Sequence, residues 1–525
     1  MLFKTNHTES GSTPALPAVP ESLEGSVLID GCMVYTTKEK ATDAILLSWF
    51  RRCRRANPKA QLIIEDHQAF GELQQAQAAR GPQGYGQLAA EDSLNIERAR
   101  QLLQRATEFG ASDVHVLLRS NFTEVQVRIK GHLKVLERLT AEDGRLLERT
   151  LFQGFDTTRD ASFNPGEFQN AQIVGAGVHP SLTGIRLVRG PAYPAEKGGG
   201  FVIGRLQYRS LHRSATSGQL AKLAYPAGPD SPNDLDDLGY TQAQVQALRD
   251  MMETPAGIIL VTGPTGSGKT TLIHEMLKYH AETFPSMRQI TIEDPIEYPM
   301  PWAIQMAITN APSEEETAEA FSERLRTALR MDPDVMLLGE VRGAGSALSA
   351  LNAAMTGHLV LGTLHAGDPY IALDRLELMD PVRLSRKITC DHKLIVGLVA
   401  QRLLPKLCPV CKVPFDVDRA DPRLVAKLEA WGDMHAVFDK GPGCSHCDED
   451  GTVGRTAVGE VVRTDAEFMR RANIEGTDIA RQSMRAREDF TGSLLRNAMA
   501  RVFAGEASPY EVRRVSAIVT PEKDL

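Results

Sequence analysis

The stretch GIILVTGPTGSGKTTLIHEMLKY, residues 257–279, decides the fold. Gly257–Val261 is a near-continuous apolar run, the pattern of a strand buried on both faces. Thr270–Tyr279 reads as a helix. Between them Gly263, Pro264, Thr265, Gly266, Ser267, Gly268, Lys269 and Thr270 fit the pattern G-x-x-x-x-G-K-[ST], and Thr271 continues it. The glycines let successive backbone N–H groups turn toward a phosphate, and the helix N-terminus adds its positive end. A glycine-rich turn with no ligand is the plainer alternative, but a strand before and a helix after are the context a phosphate loop requires. The reading places Lys269 on the β- and γ-phosphates of a nucleotide and the Thr270 hydroxyl on Mg²⁺.

Around this stretch, from about residue 240, short apolar strands alternate with helices, which implies an α/β sheet covered by helices. Three more strands end in polar groups. QITIED delivers Glu293 and Asp294, with Glu297 one turn on; VMLLGE delivers Glu340; LVLGTLHA delivers His365. Ligands of an open parallel sheet bind beyond the carboxyl ends of its strands, so these groups are expected on the edge that carries the phosphate loop. One carboxylate after a strand is often a helix cap; three strands ending this way point to Mg²⁺ and water-activating chemistry.

Seven cysteines are an odd number and few for 525 residues, which argues against a disulfide framework. Four of them form two C-x-x-C pairs, Cys408/Cys411 and Cys444/Cys447, with 32 residues between. Four thiolates so arranged would hold a closed, structural Zn²⁺. His446 lies inside the second pair, but the four thiolates already complete a tetrahedron.

The N-terminal half reads differently. Residues 1–22 are a Ser/Thr/Pro-rich tail, followed by a strand-like GSVLIDGCMVYTT and a helical ATDAILLSWFRRCRR. Trp49 and Arg51–Arg55 of that helix suggest a docking face within a partner-binding region over 1–90. A packed helix with a solvated basic end is the plainer reading. Residues 74–92 read as a linker, 93–110 as a helix closed by Gly110, and 111–119 as a strand. EVQVRIKGHLKVLERL alternates at Val125, Val127 and Ile129 and turns at Lys-Gly, so it reads as a hairpin in an antiparallel sheet.

Composition sets the limits. An apolar share of 42% with 24% charged residues is that of a globular chain. A formal net charge of -8, with no basic, aromatic-rich face, argues against nucleic acid as a partner and against a helicase-like motor. No apolar run approaches the ~20 residues of a membrane span, and the polar N-terminus lacks an export signal's apolar core.

As a set, GPTGSGKTT, TIEDPIEY, DPDVMLLGEVR and TGHLVLGTLHA resemble, in order and spacing, the Walker A, Asp box, Walker B and His box of type II secretion and type IV pilus ATPases. ASDVHV is similar to a strand motif of that family, and CPVCK with GCSHCDEDGTVGRTAVGE resembles the tetracysteine segment of its assembly (GspE/PilB-like) members, which retraction motors lack. The resemblance covers about residues 93–515. It implies an α/β, RecA-like P-loop ATPase domain over 240–525 that includes a tetracysteine segment at 405–450. An α+β (PAS-like) domain over 91–210 would precede it, joined by a linker at 211–239.

It also implies ATP hydrolysis, with Glu297 activating water, Glu340 as the Walker B glutamate, and His365 as the nearer of the histidines His358 and His365. Arg186, Arg189 and Arg205 fall where the family's phosphate-reaching arginines lie. The implied cofactors are ATP, Mg²⁺ and Zn²⁺. The implied assembly is a cytoplasmic homo-hexamer, peripheral at the inner membrane, on a platform protein and pilin or secretion machinery. Gly343, Ala366 and Lys130 depart from the family's usual residues and leave the machine open. A type IV secretion or conjugation ATPase and a pilus retraction motor are the alternatives.

Overall fold

The computed structural model describes residues 19–20, 23, 26–30, 33–58, 60–66, 69–70, 85–155, 157–159, 162–210, 215–308 and 313–524. Contacts divide the chain into two units, Met1–Leu94 and Asn95–Leu525.

In the first unit β1 (Val27–Asp30), β2 (Met33–Thr37) and β3 (Gln61–Glu65) form a three-stranded sheet in that order. Helix Ala44–Ala56 begins where the Asp43 carboxylate accepts the N–H groups of Ile45 and Leu46. Leu46, Trp49 and Cys53 recur at helical spacing and pack with Val27 and Val34 into a small core. Trp49 is 0% exposed, in line with the packed-helix reading and against its place on a docking face; Arg51, Arg52, Arg54 and Arg55 are exposed, as are Ile45, Leu47 and Ser48. Nearly all of the expected tail, and residues 74–84 of the expected linker, lie outside the described residues. From Tyr85 that linker is instead the start of helix Tyr85–Glu108.

The second unit opens with a seven-stranded, wholly antiparallel sheet. Its strands are β4 (Asp113–Leu118), β5 (Phe122–Ile129), β6 (His132–Thr140), β7 (Thr157–Arg159), β8 (Gln169–Val174), β9 (Leu182–Pro191) and β10 (Gly200–Tyr208). Their order is β6-β5-β4-β10-β9-β8-β7. The expected hairpin is β5–β6, and its two turn residues, Lys130 and Gly131, have φ of 52° and 84°. Two positive φ angles give the turn whose twist matches the strands it joins. Helix Tyr85–Glu108 contributes Ala99, Leu102, Leu103 and Ala106 to the core of this sheet.

The expected linker at 211–239 is packed rather than loose over its described part. The Val135 N–H donates to the Ala224 carbonyl at 2.9 Å, and the Asp234 N–H donates to the Glu275 carboxylate at 2.7 Å. A polar seam ties the antiparallel sheet to the C-terminal half of the chain. Asp332 accepts from Arg128 and lies 3.2 Å from the His115 ring and 3.4 Å from Arg205, while Arg128 also donates to Asp334 at 2.8 Å.

The remaining strands are β11 (Gly257–Thr262), β12 (Gln289–Glu293), β13 (Ile304–Ala307), β14 (Val335–Leu338), β15 (Leu359–Leu364), β16 (Ile395–Leu407), β17 (Val413–Pro414), β18 (Phe438–Asp439) and β19 (Thr452–Arg463). Seven of them form one sheet in the order β13-β12-β14-β15-β11-β16-β19. Six are parallel, and β19 runs antiparallel to β16 at the edge. Along β11, Ile258 and Leu260 enter the core on one face and Ile259 and Val261 the core on the other. A strand that alternates between two cores must be apolar throughout, which is why GIILV has no polar position.

Candidate active site

The parallel sheet brings the phosphate-loop and carboxylate groups to one edge. A cleft of about 320 Å³ is lined by Thr265, Gly266, Lys269 and Thr270 from the loop after β11. Asp294 and Glu297 line it from beyond β12, Glu340 and Arg342 from beyond β14, and His365 from beyond β15. His358, the other expected histidine, precedes the first residue of β15, at the far end of that strand, and its Nδ1 lies 2.9 Å from the Ala353 carbonyl.

The loop is shaped for close approach of an anion. Gly263, Gly266 and Gly268 have φ of 153°, 76° and 84°. A Cβ on Gly263 would meet Ser267 Oγ at 2.5 Å, and one on Gly268 would meet Gln401 Nε2 at 2.6 Å. Glycine is required here both by the backbone angle and by the space. From beneath, Gln401 of β16 donates to the Ser267 carbonyl at 2.8 Å and accepts from the buried Tyr240 hydroxyl at 2.5 Å. Lys269 heads helix Lys269–Thr283 and donates to the carbonyls of Gly263 and Pro264 at 2.9 and 3.0 Å. Burial pulls its ammonium below the usual lysine value, and Glu340 pulls the other way.

The acidic groups differ in setting. Glu293 is 3% exposed and accepts from Thr291 at 2.5 Å and Gln305 at 3.0 Å. Burial pushes its carboxyl above the ordinary range, against those two donors. Glu297 is exposed. Glu340 accepts from Arg342 Nε at 2.7 Å on one oxygen and faces His365 Nε2 at 3.4 Å on the other. Arg342 also stands 3.8 Å from Asp294. The chemistry of this donor set fits a Mg²⁺-bound nucleotide: backbone N–H groups and Lys269 for phosphate, a hydroxyl and carboxylates for the cation.

Three neighbours of the site, Arg342, Thr363 and Tyr298, lie inside GEVR, GTLHA and DPIEY but carry no role that the motifs alone assign. Arg342 was visible in GEVR as a cation two residues past Glu340, and Thr363 donates to the Gly339 carbonyl at 2.5 Å. The Thr271 hydroxyl, expected at the nucleotide, meets the Tyr298 hydroxyl at 3.0 Å.

None of the three expected phosphate-reaching arginines lines this cleft. Arg189 is 1% exposed and donates to Glu148 at 2.8 Å, to Gln169 at 3.0 Å and to backbone carbonyls. Its guanidinium is enclosed, so its expected place on a phosphate is corrected to a brace that ties β9 to Glu148 of helix Ala141–Gln153 and to the loop before β8. Arg205 is held by Asp113 at 2.8 Å, and Arg186 is exposed on β9.

A second site lies along the same strand. β16 ends at Leu407, paired with Thr452 of β19, and Cys408 comes directly after. The sulfurs of Cys408, Cys411, Cys444 and Cys447 lie within 4.8 Å of one another. Burial raises the Cys447 thiol, but N–H donation from Gly451 and Cys444 outweighs it and leaves the group at about 7. Four soft thiol donors in this grouping fit a tetrahedral metal.

The fold and the cleft together define a P-loop ATPase whose catalytic sheet carries an antiparallel edge strand and a four-cysteine knuckle. The chain belongs to the family described as type II/IV secretion system protein, whose model matches residues 228–514. It is 30% identical over 88% of its length to the type II secretion system ATPase E of Vibrio cholerae serotype O1, covering 84% of that protein. It is 29% identical over 73% of its length to the type IV pilus assembly ATPase PilB of Thermus thermophilus, covering 38% of that chain. It also matches a type II secretion system protein E from Escherichia coli K12, at 34% identity over 54% of each chain. The chain thus spans about half the length of the E. coli relative. Among the described residues no helix is long and apolar enough to cross a membrane.

Proposed function

We propose that this chain is a Mg²⁺-dependent ATPase that powers type IV pilus assembly or type II protein secretion. The observation that carries the reading is one cleft in which a phosphate loop, Glu297, Glu340 and His365 meet at the carboxyl edge of a parallel sheet. Bound Mg²⁺ would neutralise phosphate charge. The chain's own groups do the rest. Lys269 and the loop N–H groups hold the β- and γ-phosphates, and the Thr270 hydroxyl holds the cation. Glu297 takes the proton of the attacking water, and Glu340, fixed between Arg342 and His365, orients the phosphate side.

The assembly is a homo-hexameric ring at the cytoplasmic face of the inner membrane, docked on a platform protein. Its N-terminal α+β domain is of the PAS-like kind. Arg186 and Arg205 are the arginines offered across the ring to a phosphate, and the four cysteines hold a structural Zn²⁺. Relatives named as secretion and pilus assembly ATPases support this reading. It is tested by phosphate release from the purified chain with and without Mg²⁺, beside the phenotype of a gene deletion. Mg²⁺-dependent turnover with loss of fibres or of secretion is expected. No turnover, or fibres that form but fail to retract, overturns it.

A further inference from the structure

Asp294 and Glu297 sit on an irregular segment between β12 and β13, so no helix or strand fixes their place above the phosphate loop. Something else must. Next to the exposed Glu297, Tyr298 turns the other way, toward helix Lys269–Thr283. Its hydroxyl meets Thr271 Oγ1 at 3.0 Å, and its ring lies against the His274 ring with centroids 4.9 Å apart. Thr271 and His274 are one turn apart on that helix, so hydroxyl and ring grip a single face of it. Thr271 is two residues from Lys269, which places the grip at the start of the phosphate-binding turn.

The backbone side of the segment is anchored as well. Gln305 of β13 donates to the Tyr298 carbonyl at 3.0 Å and accepts from the Met300 N–H at 2.7 Å. The same side-chain amide also donates to Glu293 at the end of β12. Tyr298 therefore links this frame to the phosphate-binding helix through both a hydrogen bond and a ring contact.

We propose that Tyr298 is the positioning residue that sets Glu297 over the bound phosphate, by tying the Glu297 segment to Thr271 and His274. This rests on the reading of Glu297 as the water-activating carboxylate. Tyr298 does not line the cleft; it acts through its neighbour. Glu297 then moves with the helix that holds the phosphate, and the distance between base and reacting phosphorus stays fixed when the sheet and helices shift.

The test is steady-state ATP hydrolysis by the full-length chain, comparing wild type, Tyr298→Phe, Glu297→Gln and the double variant. Affinity for a non-hydrolysable Mg²⁺–ATP analogue and the melting temperature are measured alongside. Tyr298→Phe keeps the ring and loses the hydroxyl bond. It is expected to lower kcat about tenfold, because small displacements of a catalytic group are costly in rate. KM and analogue affinity should stay within about twofold. In the Glu297→Gln background the second change should cost nothing more. A Tyr298→Phe enzyme with wild-type kcat beside an impaired Glu297→Gln overturns the positioning role alone. So does a loss that appears equally in analogue affinity, or a double variant slower than Glu297→Gln. Wild-type turnover by Glu297→Gln itself removes the premise and is recognised in that single variant.

Discussion

The cleft and the four-cysteine cluster hang from one strand and are built on opposite principles. Gln401 of β16 supports the phosphate loop, and seven residues later, roughly 20 Å along a strand, Cys408 begins the cluster. The cleft is open and its charges are mixed: Glu293, Asp294, Glu297 and Glu340 line it beside Lys269, Arg342 and His365. The cluster is closed, with four like donors and backbone N–H groups turned toward one sulfur. A site that must bind, react and release leaves positions open; one that only holds the chain together fills them. The comparison predicts that damage in the cleft changes rate with little change in stability, and damage in the cluster the reverse.

The largest effect should come from Lys269→Ala. It removes the cation of the phosphate loop and should lower turnover by on the order of 10³-fold, a loss typical of removing preorganised charge from a reacting phosphate. The melting temperature of the nucleotide-free chain should change little, because the cost of burying the Lys269 ammonium offsets what its bonds to the Gly263 and Pro264 carbonyls contribute. Phosphate release and a thermal melt on the same preparation check both halves. Glu340→Gln comes next, with turnover down about 10²-fold and analogue binding preserved, since affinity rests on the loop and the carboxylate serves the transition state. If Glu340→Gln also lost binding, Glu340 would belong to the ground-state site and the division would blur.

Cys408→Ser tests the other side. It should remove one equivalent of Zn²⁺ by metal analysis and lower the melting temperature by about 10 °C, as a loss of ~3 kcal/mol would in a domain of this size. New protease cuts should appear between residues 405 and 450. Residual ATPase activity at low temperature should stay within about threefold of wild type. A metal-free wild-type chain with the same melting temperature would remove the cluster from the comparison.

Legibility in the sequence divides along the same line. The phosphate loop, the strand-terminal carboxylates and the cysteine pairs are short motifs, and a parallel sheet collects such groups on one edge by its topology. Their places could be read from local pattern. Arg189 could not: GIRLVRG shows alternation, but only the fold reveals that Glu148, 41 residues earlier, closes over its guanidinium. For Trp49 the docking-face alternative failed for a related reason, while the packed-helix reading stands. Its neighbours Leu47 and Phe50 blur the helical stripe, and the small sheet that buries it comes from segments on both sides of the helix. The described part of the expected linker was read from its prolines and glycines, which mark irregular backbone but not whether that backbone is packed.

The smallest predicted effect bears most directly on whether the two sites are separate. Gln401 stands between them, a buried amide with its oxygen on Tyr240 and its nitrogen on the Ser267 carbonyl. Gln401→Leu keeps the volume, removes both bonds and leaves the Tyr240 hydroxyl buried without its acceptor, which costs about 1–3 kcal/mol. The melting temperature should fall by a few degrees. The phosphate loop should lose its support at Ser267, and affinity for the Mg²⁺–ATP analogue should weaken about threefold, with metal content unchanged. Titration calorimetry and zinc analysis on one preparation decide it. The Cys408 end of β16 is fixed independently, by pairing with β19 and by the Cys408 N–H donating to the Gly451 carbonyl. Loss of zinc from Gln401→Leu would mean that strain runs along β16, and the open and closed sites would then be two ends of one element.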